Sequence, residues 1–245
     1  MKARTCVGGL LVAAAGLTGC TDDGGSVGTT GADPTAQTSA VAQVPAAGDV
    51  LFKDSFDDDR NQWGVIDDPQ YGSTAYEGGD YVWGFRGSLA HWIAGVLGEQ
   101  YDRGELDMLN VVVRAEATVV QGDGVIGVSC RETPDSDAQW QWYEFVARDG
   151  FAAIRLADDE GNIEVLAETD DISLPNGEPF TIEAGCIDNS DGAAELSLTL
   201  NQSPVLAAID TDPLGNGVAS LQAWTFPVHE QMDIRWHEFS VLGTR

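Results

Sequence analysis

The run Gln139-Trp140-Gln141-Trp142-Tyr143-Glu144-Phe145-Val146 decides the fold. Aromatic and β-branched side chains suit a pleated, half-buried surface. Successive residues of an extended chain point to opposite sides. One side therefore receives Trp140, Trp142, Glu144 and Val146, and the other receives Gln141, Tyr143, Phe145 and Ala147. Arg148-Asp149-Gly150 then closes the run with turn chemistry.

The same grammar repeats in both directions. Short apolar or alternating runs predict strands over 50–56, 80–85, 92–96, 108–120, 125–132, 139–147, 152–157, 163–167, 179–187, 194–200, 205–209, 218–226 and 233–241. Between them lie Asp159-Glu-Gly-Asn162, Pro175-Asn-Gly177, Asn189-Ser-Asp-Gly192 and Gly215-Asn-Gly217. No segment sustains a 3.6-residue apolar period with caps. Strands at this spacing predict an all-β sandwich or barrel. Alternation predicts that one face of each sheet packs and the other is wet.

The N-terminus reads differently. Lys2 and Arg4 precede an apolar stretch from Val7 to Gly16, too short to span a bilayer as a helix. It ends in Leu17-Thr18-Gly19-Cys20, which resembles the lipobox of bacterial lipoproteins. That resemblance implies a leader over 1–19 and a diacylated Cys20 as the mature N-terminus. Two acyl chains suffice for stable anchoring. Positions 20–47 are Gly, Ser, Thr, Ala, Asp, Pro and Gln with almost no large apolar side chain, a composition that predicts a flexible tether. The sandwich domain is expected over 48–245, one core of ordinary size. The expected location is the cell membrane, lipid-anchored and facing away from the cytoplasm.

The formal net charge is −28 for the whole chain. Losing Lys2 and Arg4 with the leader takes it to −30 (−28 minus 2). A polyanion of this size repels nucleic acid and anionic head groups, which excludes nucleic acid as a partner. Of four cysteines, Cys6 is in the leader and Cys20 is the lipid site. Cys130 and Cys186 remain, each in a strand-like run. Outside the cytoplasm such a pair oxidises, so a disulfide between neighbouring strands is expected. His91, His229 and His237 show no metal-ligand spacing.

A family resemblance covers nearly all of Asp49 to Gly243. Lys53-Asp-Ser-Phe-Asp-Asp-Asp-Arg-Asn-Gln-Trp63 resembles the opening of bacterial concanavalin A-like (laminin-G/glucanase-like) jelly-roll domains. Gly124 to Arg131, with Cys130, resembles their Gly-x-x-Gly-x-x-Cys-Arg strand. Tyr143-Glu-Phe145 followed by Asp149-Gly150, a second cysteine strand at Thr181 to Ile187, and the hairpin Leu198-Thr-Leu-Asn-Gln-Ser203 follow in the family's order. In that hairpin Gln202 stands where glycine is usual. The resemblance implies a two-sheet antiparallel jelly-roll sandwich with one concave face, with the last strand near the first and with Tyr143 and Phe145 in the core. It does not imply one function.

Three chemistries can be weighed on the residues. Glu105-Leu-Asp-Met-Leu-Asn110 resembles the E-x-D-x-x-E strand of jelly-roll β-glucanases, whose retaining mechanism needs two carboxyl groups. Asn110 stands where the acid/base belongs, and an amide cannot protonate a leaving group. Asp54, Asp57 and Asp59 are candidates for a structural calcium, since hard cations take carboxylate oxygens. Trp140, Trp142 and Glu144 are expected on the wet face, joined by Arg131 and Arg155 through alternation against Val128/Cys130 and Ile154/Leu156. Indoles beside an acid and two arginines make a platform for a carbohydrate or a peptide. Trp63, Trp83, Trp224 and Trp236 are expected in the core. The expected function is therefore non-catalytic binding of a glycan or a surface protein, against a jelly-roll glycosidase or a ligand-free structural domain.

Overall fold

The computed structural model describes residues 47–86, 91–95, 108–134, 139–225 and 231–244. The leader, Cys20 and all of the tether but its last residue lie outside them. So do Glu105 and Asp107 of the glucanase-like run.

The described chain forms β1 (Ala47–Asp54), β2 (Ile66–Asp68), β3 (Gly72–Glu77), β4 (Asp80–Arg86), β5 (His91–Gly95), β6 (Val111–Gly122), β7 (Gly124–Pro134) and β8 (Trp140–Arg148). It continues with β9 (Phe151–Asp158), β10 (Ile163–Thr169), β11 (Phe180–Asp188), β12 (Ala194–Leu200), β13 (Ser203–Asp210), β14 (Val218–Thr225) and β15 (Gln231–Thr244). All thirteen expected strands are present. β2 and β3 were not expected: Ile66-Asp-Asp68 is too short to alternate, and Gly72-Ser-Thr-Ala-Tyr-Glu77 is mostly small and polar.

Two antiparallel sheets result. The nine-stranded sheet runs β13-β12-β11-β6-β15-β4-β3-β2, with β1 also paired to β15. The six-stranded sheet runs β10-β9-β8-β7-β14-β5. The last strand thus meets the first, as the family resemblance implies. Inner faces supply the core: Val111, Val113, Ala115, Ile234 and Trp236 from one sheet meet Ile126, Val128, Tyr143, Phe145 and Leu221 from the other. Phe56, Trp63, Tyr81, Trp83, Trp236 and Phe239 close one region with edge-on and tilted ring contacts, which add to area burial.

Cys130 and Cys186 are disulfide-bonded. The bond does not join neighbouring strands of one sheet. Cys130 lies on β7 and Cys186 on β11, so it ties the two sheets together through the core. The closed loop of 56 residues corresponds to about 4 kcal/mol in the chain-entropy account.

Gln202 explains itself in the β12–β13 turn. Asn201 and Gln202 have φ of 48° and 65°, the paired left-handed residues of a two-residue hairpin turn. Asn tolerates this; Gln202 occupies it without glycine's freedom.

Candidate functional site

The outer face of the six-stranded sheet carries the chemistry. Tyr143, Phe145 and Ala147 of β8 point into the main core, so Trp142, Glu144 and Val146 point outward. On β7, Val128 and Cys130 are core and Ser129 is outward; on β14, Ala219, Leu221 and Ala223 are core and Ser220, Gln222 and Trp224 are outward. Register aligns these rows. Glu144 lies opposite both Ser129 and Arg155, and Ser129 lies opposite Ser220.

An ion pair and a set of hydrogen bonds follow. Arg155 Nε stands 3.2 Å from Glu144 Oε1. Gln222 offers its amide nitrogen to Glu144 Oε2 and accepts from Trp142 Nε1, each at 3.0 Å. Trp142 Nε1 also reaches Glu144 Oε2 at a longer 3.4 Å. The Ser129 and Ser220 hydroxyls are hydrogen-bonded to each other. The Arg155 guanidinium lies over the Trp224 ring at 5.0 Å and over Phe151 at 5.8 Å, a cation–π contact on each side. Burial raises the Glu144 carboxyl above its usual range, opposed by the charge of Arg155 and the indole of Trp142. Burial lowers Arg155, opposed by Glu144 and Glu168.

The centre of this face is not wet, as alternation alone implied. Trp142 is 6% exposed and Glu144 2%, and Ser129, Ser220 and Gln222 are buried. The flank toward β10 is open: Trp140 is 36% exposed and Ile163 53%, with Val165 exposed beside them. A cavity of about 240 Å³ at the β8–β9–β10 end is lined by Gln141, Leu156, Ala157, Asp158, Ile163 and Glu164 among others, with Gln141 and Leu156 on the core side of their strands. Trp224 is half-buried on this outer face rather than in the core, packed with Val125, Val146 and Ala153. Trp63, Trp83 and Trp236 are core, as expected.

Arg131 does not join the platform. Arg131 and Glu132 together oppose Trp142, because the β7–β8 register shifts between Cys130 and Thr133. This is a β-bulge, with Arg131 at φ 54°. The extra residue reverses the expected alternation. Arg131 turns away and is fully buried, donating to Leu109 O, Leu214 O and Asp188 Oδ1 at 3.1, 2.9 and 2.7 Å. Glu132 takes its place: the Ser220 hydroxyl, an outward group, hydrogen-bonds its carboxylate. Gly217 permits the close backbone approach here, since a Cβ would fall 2.5 Å from the carbonyl carbon of Arg131. Glu132 is the residue of this face that alternation missed.

The acidic loop after β1 does not gather ligands. Asp54 is buried and its carboxylate accepts from Phe56 N, Asn61 Nδ2 and Trp63 Nε1 at 2.8, 2.8 and 2.7 Å. Asp57 accepts from Ser55 Oγ, and the Asp59 carbonyl accepts from Gln62 N. Among the described residues no three His, Cys, Asp or Glu side chains are grouped to hold a metal ion, the candidates Asp54, Asp57 and Asp59 included. Asn110 precedes β6, in the other sheet, and its side-chain oxygen accepts from Asp188 N at 2.7 Å.

Fold and topology define an all-β, two-sheet antiparallel jelly roll of the concanavalin A-like type. The chain is similar to a protein of unknown function with a galectin-like fold from Bacillus subtilis: TM-score 0.57, 12% identity, 82% of this chain and 100% of that chain covered. It is also similar to an endo-β-1,4-glucuronan lyase from the fungus Trichoderma reesei, with TM-score 0.51, 10% identity, and 80% and 96% covered. At these identities the likeness speaks for the fold alone. No protein-family model matches the chain, and no curated protein matches it.

Proposed function

We propose that this chain is a non-catalytic surface lipoprotein whose jelly roll binds a glycan on the outer face of the six-stranded sheet. One observation carries the reading: two indoles, an ion pair and a side-chain amide share that face, Trp140 and Trp142 with Glu144–Arg155 and Gln222. Indole faces stack on the apolar faces of sugars, and the buried ion pair and amide hold the Trp142 indole in place beside the exposed Trp140. The exposed end at Trp140 gives a ligand its entry. The galectin-like fold of the Bacillus subtilis neighbour fits this use but does not establish it.

Two features support the non-catalytic part. Asn110 cannot serve as a proton donor, and its side chain is occupied by Asp188 N. Glu144 is held by three partners, which suits positioning rather than proton transfer. Leu17-Thr-Gly-Cys20 supports display on a lipid anchor.

The test is thermal shift and calorimetric titration of the chain against cell-wall oligosaccharides. A saturable signal weakened at least tenfold in Trp140→Ala, with no glycan hydrolysed, is the expected result. Absence of binding across the panel overturns the glycan reading. Release of reducing ends overturns the non-catalytic one.

A further inference from the structure

The cavity at the β8–β9–β10 end is built on the β9–β10 hairpin turn, Asp158 to Asn162. The turn uses one carboxylate for itself. Asp158 accepts from Glu160 N, Asn162 N and Asn162 Nδ2 at 3.0, 2.8 and 2.8 Å. The rest of the polar lining is uncommitted. Glu164 lies opposite Leu156, which lies opposite Tyr143, and Gln141 lies opposite Asp158. Register therefore sets Gln141, Leu156 and Glu164 on the side of Tyr143, away from Trp140 and Trp142. Among the described residues neither the Gln141 amide nor the Glu164 carboxylate has a hydrogen-bond or ion-pair partner. Both are open to solvent: Glu164 is exposed, and Gln141 and Leu156 are half-buried.

The lining selects a chemistry. The Gln141 amide donates and accepts, while the Glu164 carboxylate accepts only. Leu156 adds an apolar wall between them. Hydroxyls around a ring with an apolar face match all three. The volume of about 240 Å³ falls below the roughly 300–1,000 Å³ of a drug-sized site, so it holds one ring. Charge narrows the class further. Asp158 and Glu164 line the cavity, and no Lys, Arg or His is among its lining residues. Arg155 is on the other face, paired with Glu144 and set over Phe151 and Trp224. Arg148 ends β8 at its far end, over Phe151. A sugar carboxylate would therefore meet Glu164 with no cation to match it, and like charges set together reject a ligand. The chain's charge of −28 acts in the same sense.

We propose that this cavity is a second sugar site, separate from the outer face, which takes one uncharged ring and refuses uronic acids. The ring's hydroxyls donate to Glu164 and exchange hydrogen bonds with Gln141, and its apolar face rests on Leu156.

The experiment is nuclear magnetic resonance titration of the full chain at fixed ionic strength. The probes are the methyl glycosides of glucose, galactose and mannose, their uronic-acid counterparts and methyl glucosaminide. The signals read are the side-chain amides of Gln141 and Asn162 and the indoles of Trp140 and Trp142. A neutral glycoside should move the Gln141 and Asn162 signals saturably, with its uronic acid weaker by about tenfold or more. Gln141→Ala should abolish the movement at Asn162. Glu164→Gln should remove the discrimination against the uronic acid, while Glu168→Gln, which deletes the same charge on the outer face, leaves it intact. Equal loss of discrimination in both glutamate variants means a general field effect and overturns the proposal. Equal binding of acidic and neutral sugars overturns it, as does tighter binding of the glucosaminide than of the glucoside, which would make Glu164 a cation site. Indole movement without amide movement overturns this site and leaves the outer-face reading standing. Amide movement alone supports it whatever the outer face binds.

Discussion

Burial pushes the Glu132 carboxyl up to about 6 from an ordinary 4.5, with the Ser220 hydroxyl opposing. The folded state therefore holds this proton more tightly than the unfolded chain does. The associated stability is fully present below about pH 4.5 and is lost as pH rises through about 6. The shift corresponds to about 2 kcal/mol. Glu132→Gln should flatten that part of the stability profile, seen as a smaller change in denaturation midpoint between pH 4 and pH 7 than in the parent chain. An unchanged profile would place the titration elsewhere. At the β12–β13 turn, Gln202→Gly relieves a left-handed residue that carries a Cβ. It should raise stability by about 1 kcal/mol, read from urea midpoints. The departure from glycine at Gln202 was legible in the sequence, because turn chemistry is local. The role of Glu132 was not, because it depends on how two strands register.

At the scale of elements, alternation carried far and failed at one place. The period of β8 set Tyr143 and Phe145 on one side and Trp142 and Glu144 on the other, and the family resemblance turned the first pair inward, as found. Alternation also put Arg155 on the same face as Glu144, and the structure sets the two opposite each other. Alternation says nothing about a residue inserted into a ladder, and Arg131 at positive φ has no propensity signature. The bulge inverted Arg131 and Glu132 together. Nor does period two reveal what is packed above a face, so the burial of Glu144 was not legible either. β2 and β3 were missed because their polar, small residues draw strand character from pairing with β4 rather than from their own pattern. The buried Arg131–Asp188 pair makes a definite prediction. Arg131→Ala strands Asp188 and two carbonyl oxygens and should cost roughly 3–5 kcal/mol in chemical denaturation. A loss under 1 kcal/mol would show that the bulge is not held by this side chain.

On the scale of the whole molecule, the disulfide is a covalent link between sheets also joined by apolar packing and by the Arg131–Asp188 and Tyr143–Asp210 contacts. The double variant Cys130→Ala/Cys186→Ala should lower stability by about 4 kcal/mol at most, measured against the oxidised parent. The cysteine pair was readable from the arithmetic of an exported chain, but its crossing between sheets required the topology. Display on a membrane is a separate proposal. Cys20→Ser should shift the chain from the membrane fraction to the soluble one, and retention in the membrane would argue against the anchor.

The central claim is that a glycan binds on the outer face of the six-stranded sheet. The chain has seven tryptophans, and their indole N–H signals form a map of the molecule. Nuclear magnetic resonance titration with the tightest-binding oligosaccharide should move the Trp140 and Trp142 signals together and saturably, while the core residues Trp83 and Trp236 stay in place. Movement confined to indoles of the nine-stranded sheet, or no movement at saturating glycan, would contradict the account.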